Sequence, residues 1–292
     1  MTLEHFKRSL RSLLAKLPID RFRNPPPVVG VVRLEGVIGR SIGPGRQGLT
    51  LDSQERAIAK LFKNSQLKAV ALVINSPGGS PVQSALIAQR IRDLADEKDL
   101  PILAFCEDVA ASGGYWLACA ADEIFADENS IVGSIGVISA GFGFVDLIER
   151  VGIERRVYST GPRKGMLDPF QDENPEDIDR LRRLHQDIFE NFKNHVRRCR
   201  GDRLRAEDAT LFTGDIWTGR QAVEVGLIDG LAEMRAEMRK RYGDKVKFQR
   251  SSGRQGLLSR LRGGIGRGNV GIDPGELIGA IEDWAQRRRF GL

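Results

Sequence analysis

An α/β fold with a parallel sheet is predicted by three features: short apolar runs of the fully buried strand type, helical segments alternating with them, and Gly-rich turns where strand gives way to helix. The chain has 292 residues, enough for one substantial core with extensions. Its 41% hydrophobic and 29% charged residues are ordinary for a globular protein, and no run reaches the roughly 18 apolar residues a membrane span needs.

Residues 3–19 place Leu3, Phe6, Leu10, Leu13, Leu14 and Leu17 at helical spacing among Lys and Arg, which predicts an amphipathic helix. Such a helix suits a membrane interface or a docking site on protein, and the broken apolar run does not read as a signal peptide. Asn24-Pro25-Pro26-Pro27 ends it. A strand is expected from Val28 to Ile38, a loop at Gly43-Pro44-Gly45 and a helix from Ser53 to Lys63. Ala69–Ile74 reads as a buried strand, Pro81–Leu94 as a helix with Pro81 in its first turn, and Ile102–Phe105 as another strand. The small-residue stretch Ala111–Ala120 reads as helix, Glu123–Ala126 and Gly136–Ser139 as strands, and Phe144–Val151 as helix. Pro175–Arg200 is a long charged helix whose narrow stripe (Ile178, Leu181, Leu184, Ile188, Phe192, Val196) places it outside the main core. Thr218–Val225 is a helix stopped by Gly226, residues 251–271 read as a Gly/Arg/Ser-rich linker, and Pro274–Arg289 as a final helix. The domains expected are thus a basic helix (1–24), a body (25–246) and a linker with a short helix (247–292).

The formal charge of +6 resides at the two ends, leaving the body mildly acidic. This argues against a nucleic-acid-binding face and suits tails that meet an anionic surface or simply aid solubility. Cys106, Cys119 and Cys199 are too few and scattered for a disulfide framework or a Cys-x-x-Cys metal site, so they read as buried thiols of a reducing compartment. The histidines His5, His185 and His195 have no metal-ligand spacing, and the latter two read as solvated positions on a charged helix. No metal or cofactor is expected.

Chemistry concentrates in two turns that follow apolar strands, Ser76-Pro77-Gly78-Gly79-Ser80 and Ala111-Ser112-Gly113-Gly114-Tyr115-Trp116. Glycines there let backbone N–H groups face a cleft, and a helix start adds positive dipole, so a developing oxyanion is stabilised. Ser112 stands where acyl-transfer enzymes present a nucleophile. With no histidine in these motifs, a desolvated lysine is the alternative base. Lys164, in the loop Thr160-Gly161-Pro162-Arg163-Lys164-Gly165-Met166, fits that demand, although a loop lysine alone is ordinarily a solvated surface residue.

Taken together, Asn75-Ser-Pro-Gly-Gly, Ala111-Ser-Gly-Gly-Tyr-Trp, Gly133-Ser-Ile-Gly-Val137 and Lys164 resemble, in order and spacing, the signal peptide peptidase A (SppA) family of Ser-Lys peptidases. The resemblance covers Val28 to Met234. It implies the ClpP/crotonase-like α/β fold, a spiral of ββα units forming one catalytic domain with helical extensions. It further implies Ser112 as nucleophile, Lys164 as general base, Ser134 as the serine that orients the amine, and an oxyanion hole from the N–H groups of Gly78 and Gly113, with Gly79 in place of Gly78 if the turn register differs. Substrates by resemblance are cleaved signal peptides and other unfolded, apolar segments. Many members carry a spanning anchor or a tandem duplication, neither of which is seen in this sequence; short members form rings in which a neighbour lends the lysine. A homo-oligomeric ring is therefore expected, with the helix after Pro175 in its contacts, in the cytoplasm and in peripheral contact with the inner face of the cell membrane through residues 1–24. Two other readings share the motifs: a crotonase-type acyl-CoA enzyme, which ordinarily relies on a carboxylate, and a non-catalytic membrane-associated scaffold.

Overall fold

The computed structural model describes residues 25–39, 48–161 and 163–251. The helices expected at 3–19 and 274–289, the loop Gly43-Pro44-Gly45 and the linker beyond Ser251 lie outside the described residues.

The body is built on a sheet in which β1 (Val28–Glu35), β2 (Leu67–Ser76) and β3 (Ile102–Ala111) run parallel at the centre. Between them come α1 (Leu51–Phe62) and α2 (Pro81–Asp96). Both helices pack on one face of the sheet, and α8 (Met234–Tyr242) places Met238 against the other, so the central strands are covered on both sides and read as unbroken apolar runs. Val32, Leu34, Val70, Leu72, Ile74, Ile102 and Ala104 pack into one buried cluster with the helices. Their alternating neighbours Val29, Val31, Ala69, Ala71, Val73, Leu103 and Phe105 form a second cluster on the opposite face with Met238. Thr50 starts α1 with a capping box to Ser53, and Ser80 caps α2 ahead of Pro81.

β3 is longer than the apolar run predicts. Glu107 and Asp108 interrupt that run, yet they sit on a register shift where Ile74 faces Cys106 but Ser76 faces Ala110. The Asn75 side chain bridges the irregularity, donating to Asp108 Oδ2 at 2.7 Å and accepting from the Val109 N–H at 3.2 Å. Glu107 meets Arg33 at 2.7 Å. The strand therefore continues to Ala111, and the sheet divides along it: its first half pairs with β4 (Glu123–Ala126), its second half with β5 (Ile131–Gly133). Ala111, expected to open a helix, instead ends this strand, and α3 runs only from Gly113 to Ala118.

The strand expected at Gly136–Ser139 is not formed; the one that pairs lies just upstream at Ile131–Gly133, where β3 supplies partners. After it come α4 (Val145–Arg150) and α5 (Pro175–Arg200), the latter with the bounds expected. A short 3-10 turn, α6 (Asp208–Leu211), β6 (Ile216–Thr218), α7 (Gly219–Glu224), β7 (Gly230–Leu231), α8 (Met234–Tyr242) and β8 (Lys247–Arg250) complete the body. The sheet order is β6-β5-β3-β2-β1-β8, with β4 and β7 extending from β3, and among the described residues only the β5–β6 pair is antiparallel. Since β8 pairs with β1, the sheet continues beyond the boundary expected at 246.

Only the C-terminal part of α5 is embedded. Phe192, His195, Val196 and Arg200 are buried, and Arg200 donates to Asp229 at 2.7 Å and to the Gly226 carbonyl. Burial alone would raise the Asp229 carboxyl, but the Arg200 and Ile124 hydrogen bonds hold it below the usual carboxylate range. His195, expected to be solvated, is instead stacked on Trp116 with ring centroids 4.5 Å apart. Its Nε2–H donates to the Trp116 carbonyl at 3.2 Å, and burial pushes its pKa down to about 4.

This buried neutral imidazole makes stability pH-dependent. Unfolding lets it take up a proton below the ordinary histidine value near 6.5, whereas the folded protein binds that proton only around pH 4. Stability contributed by His195 is thus full above pH 6.5 and is lost as pH falls to 4, by about 2–3 kcal/mol. Denaturant titrations at both pH values should show this extra acid loss in the parent protein and not in His195→Gln.

Candidate active site

The two Gly-rich turns meet. Ser76, Pro77 and Gly78 leave β2 while Ala111 and Ser112 leave β3, and because these strands are neighbours in the sheet, their C-terminal ends deliver both turns to one place. The approach is so close that a Cβ on Gly78 would lie 2.8 Å from Ser112 Cβ and 2.9 Å from the Gly113 nitrogen. Gly78 also has φ +104°, a conformation that side chains disfavour.

Ser112 occupies the N-cap of α3 at φ 52°, ψ −120°. A non-glycine residue held there costs on the order of 1–3 kcal/mol, which the surroundings must offset. They do so from both sides: Ser112 N–H donates to the Gly133 carbonyl at 2.7 Å, and its carbonyl accepts from Trp116 N–H at 3.0 Å. The side chain makes no capping bond. It is half-buried and borders a cleft of about 480 Å³ between Gly79, Pro81 and the Ser134–Ile138 segment.

Ser134 lines the same cleft and is likewise left-handed, at φ 50°, with its N–H donating to the Asp215 carbonyl at 2.7 Å. Ser112 and Ser134 therefore border one cleft. Gly79 also borders the cleft. The Gly78 N–H donates to Ser76 Oγ at 3.2 Å, and that hydroxyl in turn donates to the Gly36 carbonyl at 2.7 Å. Among the described residues no hydrogen bond engages the Gly79 N–H. Gly113 is the first residue of α3, where a helix leaves its N–H groups unsatisfied.

Lys164 is not brought to this cleft within the chain. It lies exposed in a turn, its N–H donating to the Gly161 carbonyl at 3.1 Å, and does not line the cavity. None of the described histidines lines it either. The Thr213-Gly214 loop, by contrast, forms part of the wall. Nothing in its sequence distinguishes it from an ordinary turn; its place follows from the Ser134–Asp215 hydrogen bond and the β5–β6 pairing. A groove of about 530 Å³ lies on the opposite face of the sheet over Val31, Val73 and Phe105, remote from these turns in the fold.

The divided parallel sheet and the paired glycine turns at its carboxyl edge define a ClpP/crotonase-like α/β protein. The chain belongs to peptidase family S49, whose family model matches residues 95–246. Among relatives, it is 47% identical over 275 residues to a Brucella abortus (strain 2308) protein named Na(+)/H(+) antiporter NhaA, a match covering 94% of this chain and 37% of that protein. It is 29% identical over 256 residues to the chloroplastic serine protease SPPA of Arabidopsis thaliana, covering 84% of this chain and 37% of that protein. The chain thus spans 37% of the length of either relative. Among the described residues no helix is long and apolar enough to cross a membrane. A solved structure, a mutant of the membrane-bound stomatin-specific protease 1510-N, superposes with a TM-score of 0.50 at 17% identity, covering 78% of this chain and 99% of that one.

If the contact between the turns holds Ser112 in place, Gly78→Ala should abolish covalent labelling of Ser112 by a fluorophosphonate. Circular dichroism should still report a folded α/β protein, since the clash is confined to the turn.

Proposed function

We propose that the chain is a serine endopeptidase in which Ser112 attacks a peptide carbonyl and Lys164 serves as general base. The observation that carries this is Ser112 itself: a hydroxyl free of capping bonds, held at positive φ on a helix start, against a second turn of backbone donors in an open cleft. A fixed pair of such donors stabilises the tetrahedral oxyanion by about 3 kcal/mol each. Gly113 supplies one and the Gly78–Gly79 turn the other, with Gly79 the glycine whose N–H has no hydrogen bond among the described residues.

In this mechanism the uncharged lysine amine takes the Ser112 proton as Oγ bonds to the carbonyl carbon, and returns it to the leaving amine as the acyl-enzyme forms. Water then loses a proton to the same amine and releases the acid. Ser134, bordering the cleft, orients the amine. Apolar walls at Pro77, Pro81, Val137 and Ile138 suit unfolded, apolar peptides such as cleaved signal peptides. Among the described residues no carboxylate lines the cleft, which disfavours an acyl-CoA reaction of the crotonase type.

The lysine must reach Ser112, and the arm that carries it supports a route through a second copy. Among the described residues from 136 to 191 none is buried. Yet this segment exposes Ile138 (74%), Phe142, Leu147, Val151, Ile153 and Tyr158 (92%). So much apolar surface on one arm marks an interaction site. A ring in which each arm covers its neighbour would bury it and bring Lys164 to the neighbour's cleft, with the exposed first half of α5 in the contact. Basic residues within 1–24 would allow such a ring to touch an anionic membrane.

Ser112→Ala and Lys164→Ala should each lose peptidase activity on casein by at least about 1,000-fold while remaining folded. Mixing the two inactive variants, then dissociating and reassembling them, should restore a fraction of activity if the lysine crosses between subunits. Full activity in either single variant would refute the dyad.

A further inference from the structure

The wall of the cleft opposite Gly79 is suspended between two anchors. At one end, Ser134 N–H donates to Asp215 and the Ile135 side chain is fully buried. Beyond that point Gly136 passes close to Gly214, and the chain becomes exposed from Ile138. Val137 borders the cleft on one side and a second cavity of about 350 Å³ on the other, the latter walled by His185 and Phe189 of α5. Among the described residues, 136–143 make a single hydrogen bond: the one between Ser139 Oγ and His185 Nε2, 2.7 Å long.

That bond leads back to the nucleophile. His185 is on α5, whose embedded end packs Phe192 and His195 on Trp116, at ring-centroid distances of 5.0 and 4.5 Å. Trp116 lies in α3, the helix that Ser112 caps. One side of the cleft and the serine opposite it are thereby referenced to the same pair of helices.

We infer that His185 is a positioning residue for peptide binding: by tethering Ser139 it holds the Val137–Ile138 wall at the distance from Ser112 that an extended substrate requires. The inference rests on the serine-peptidase reading given above. His185 does not line the cleft and takes no proton in the reaction. Either ring tautomer satisfies the tether, since a serine hydroxyl both donates and accepts. Loss of the bond frees the wall to sample wider positions, which weakens binding of a peptide that must lie along it and leaves Ser112 unaltered.

The test is steady-state kinetics on a fluorogenic apolar peptide with the full chain, alongside the rate of Ser112 labelling by a small fluorophosphonate. His185→Ala and Ser139→Ala should each raise KM about fivefold, the worth of one hydrogen bond, with kcat and the labelling rate nearly unchanged. His185→Gln, whose amide reaches the position of Nε2, should recover most of the loss. The double variant should be no worse than either single one, because both remove the same bond. An unchanged KM in His185→Ala, a parallel fall in kcat and labelling, or additive effects in the double variant would overturn the tether. Failure of the parent protein to label at all would instead overturn the peptidase reading beneath it.

Discussion

Everything at the candidate site depends on a contact that only glycine permits, the abutment of Gly78 on Ser112 and Gly113. The two turns come from adjacent parallel strands, so the sheet alone would leave them one strand spacing apart, about 4.8 Å. Closing that gap requires the absence of a Cβ at Gly78 and a left-handed backbone at Ser112. The two conditions support each other: the turn from β2 blocks the serine from relaxing, while the Gly133 carbonyl and the start of α3 hold it from the far side. Strain of this kind persists only where surroundings over-determine it. Here they are the central strands, whose side chains are buried on both faces.

The division of β3 serves the same end. By pairing first with β4 and then with β5, it carries Ala111 out to a position where the Gly133 end of β5 can meet Ser112. Asn75 makes this possible by filling the hydrogen-bonding gap at the bulge, so the residue that opens the first glycine turn also sets how far the second one projects. This contribution was not legible in the sequence. Asn before Ser-Pro-Gly reads as turn chemistry, and Glu107-Asp108 reads as the end of a strand, because their partners Arg33 and Asn75 are distant in sequence.

Elsewhere legibility followed burial. Strands covered on both faces, such as Ala69–Ile74, and the long helix Pro175–Arg200, with its caps and stripe, could be read directly. The strands β6, β7 and β8 and the helix α8 could not, for they are short or heavily charged and are held by pairing with elements already in place; Met238 is the one buried side chain of α8. Ser112, Ser134 and both glycine turns were visible as motifs, and the sheet brings them into one cleft. Lys164 drew notice only in combination with those motifs, and among the described residues of the arm that bears it, 136–191, none is fully buried. The serine turns thus sit on the sheet, whereas Lys164 sits on an exposed arm away from their cleft.

The central claim, that backbone geometry makes Ser112 the reactive hydroxyl, is tested most directly by reacting the assembled protein with a fluorophosphonate and sequencing the modified peptide. The account predicts stoichiometric modification confined to the peptide bearing Ser112. Modification spread over several serines, or none at Ser112 while the protein cleaves casein, would contradict it.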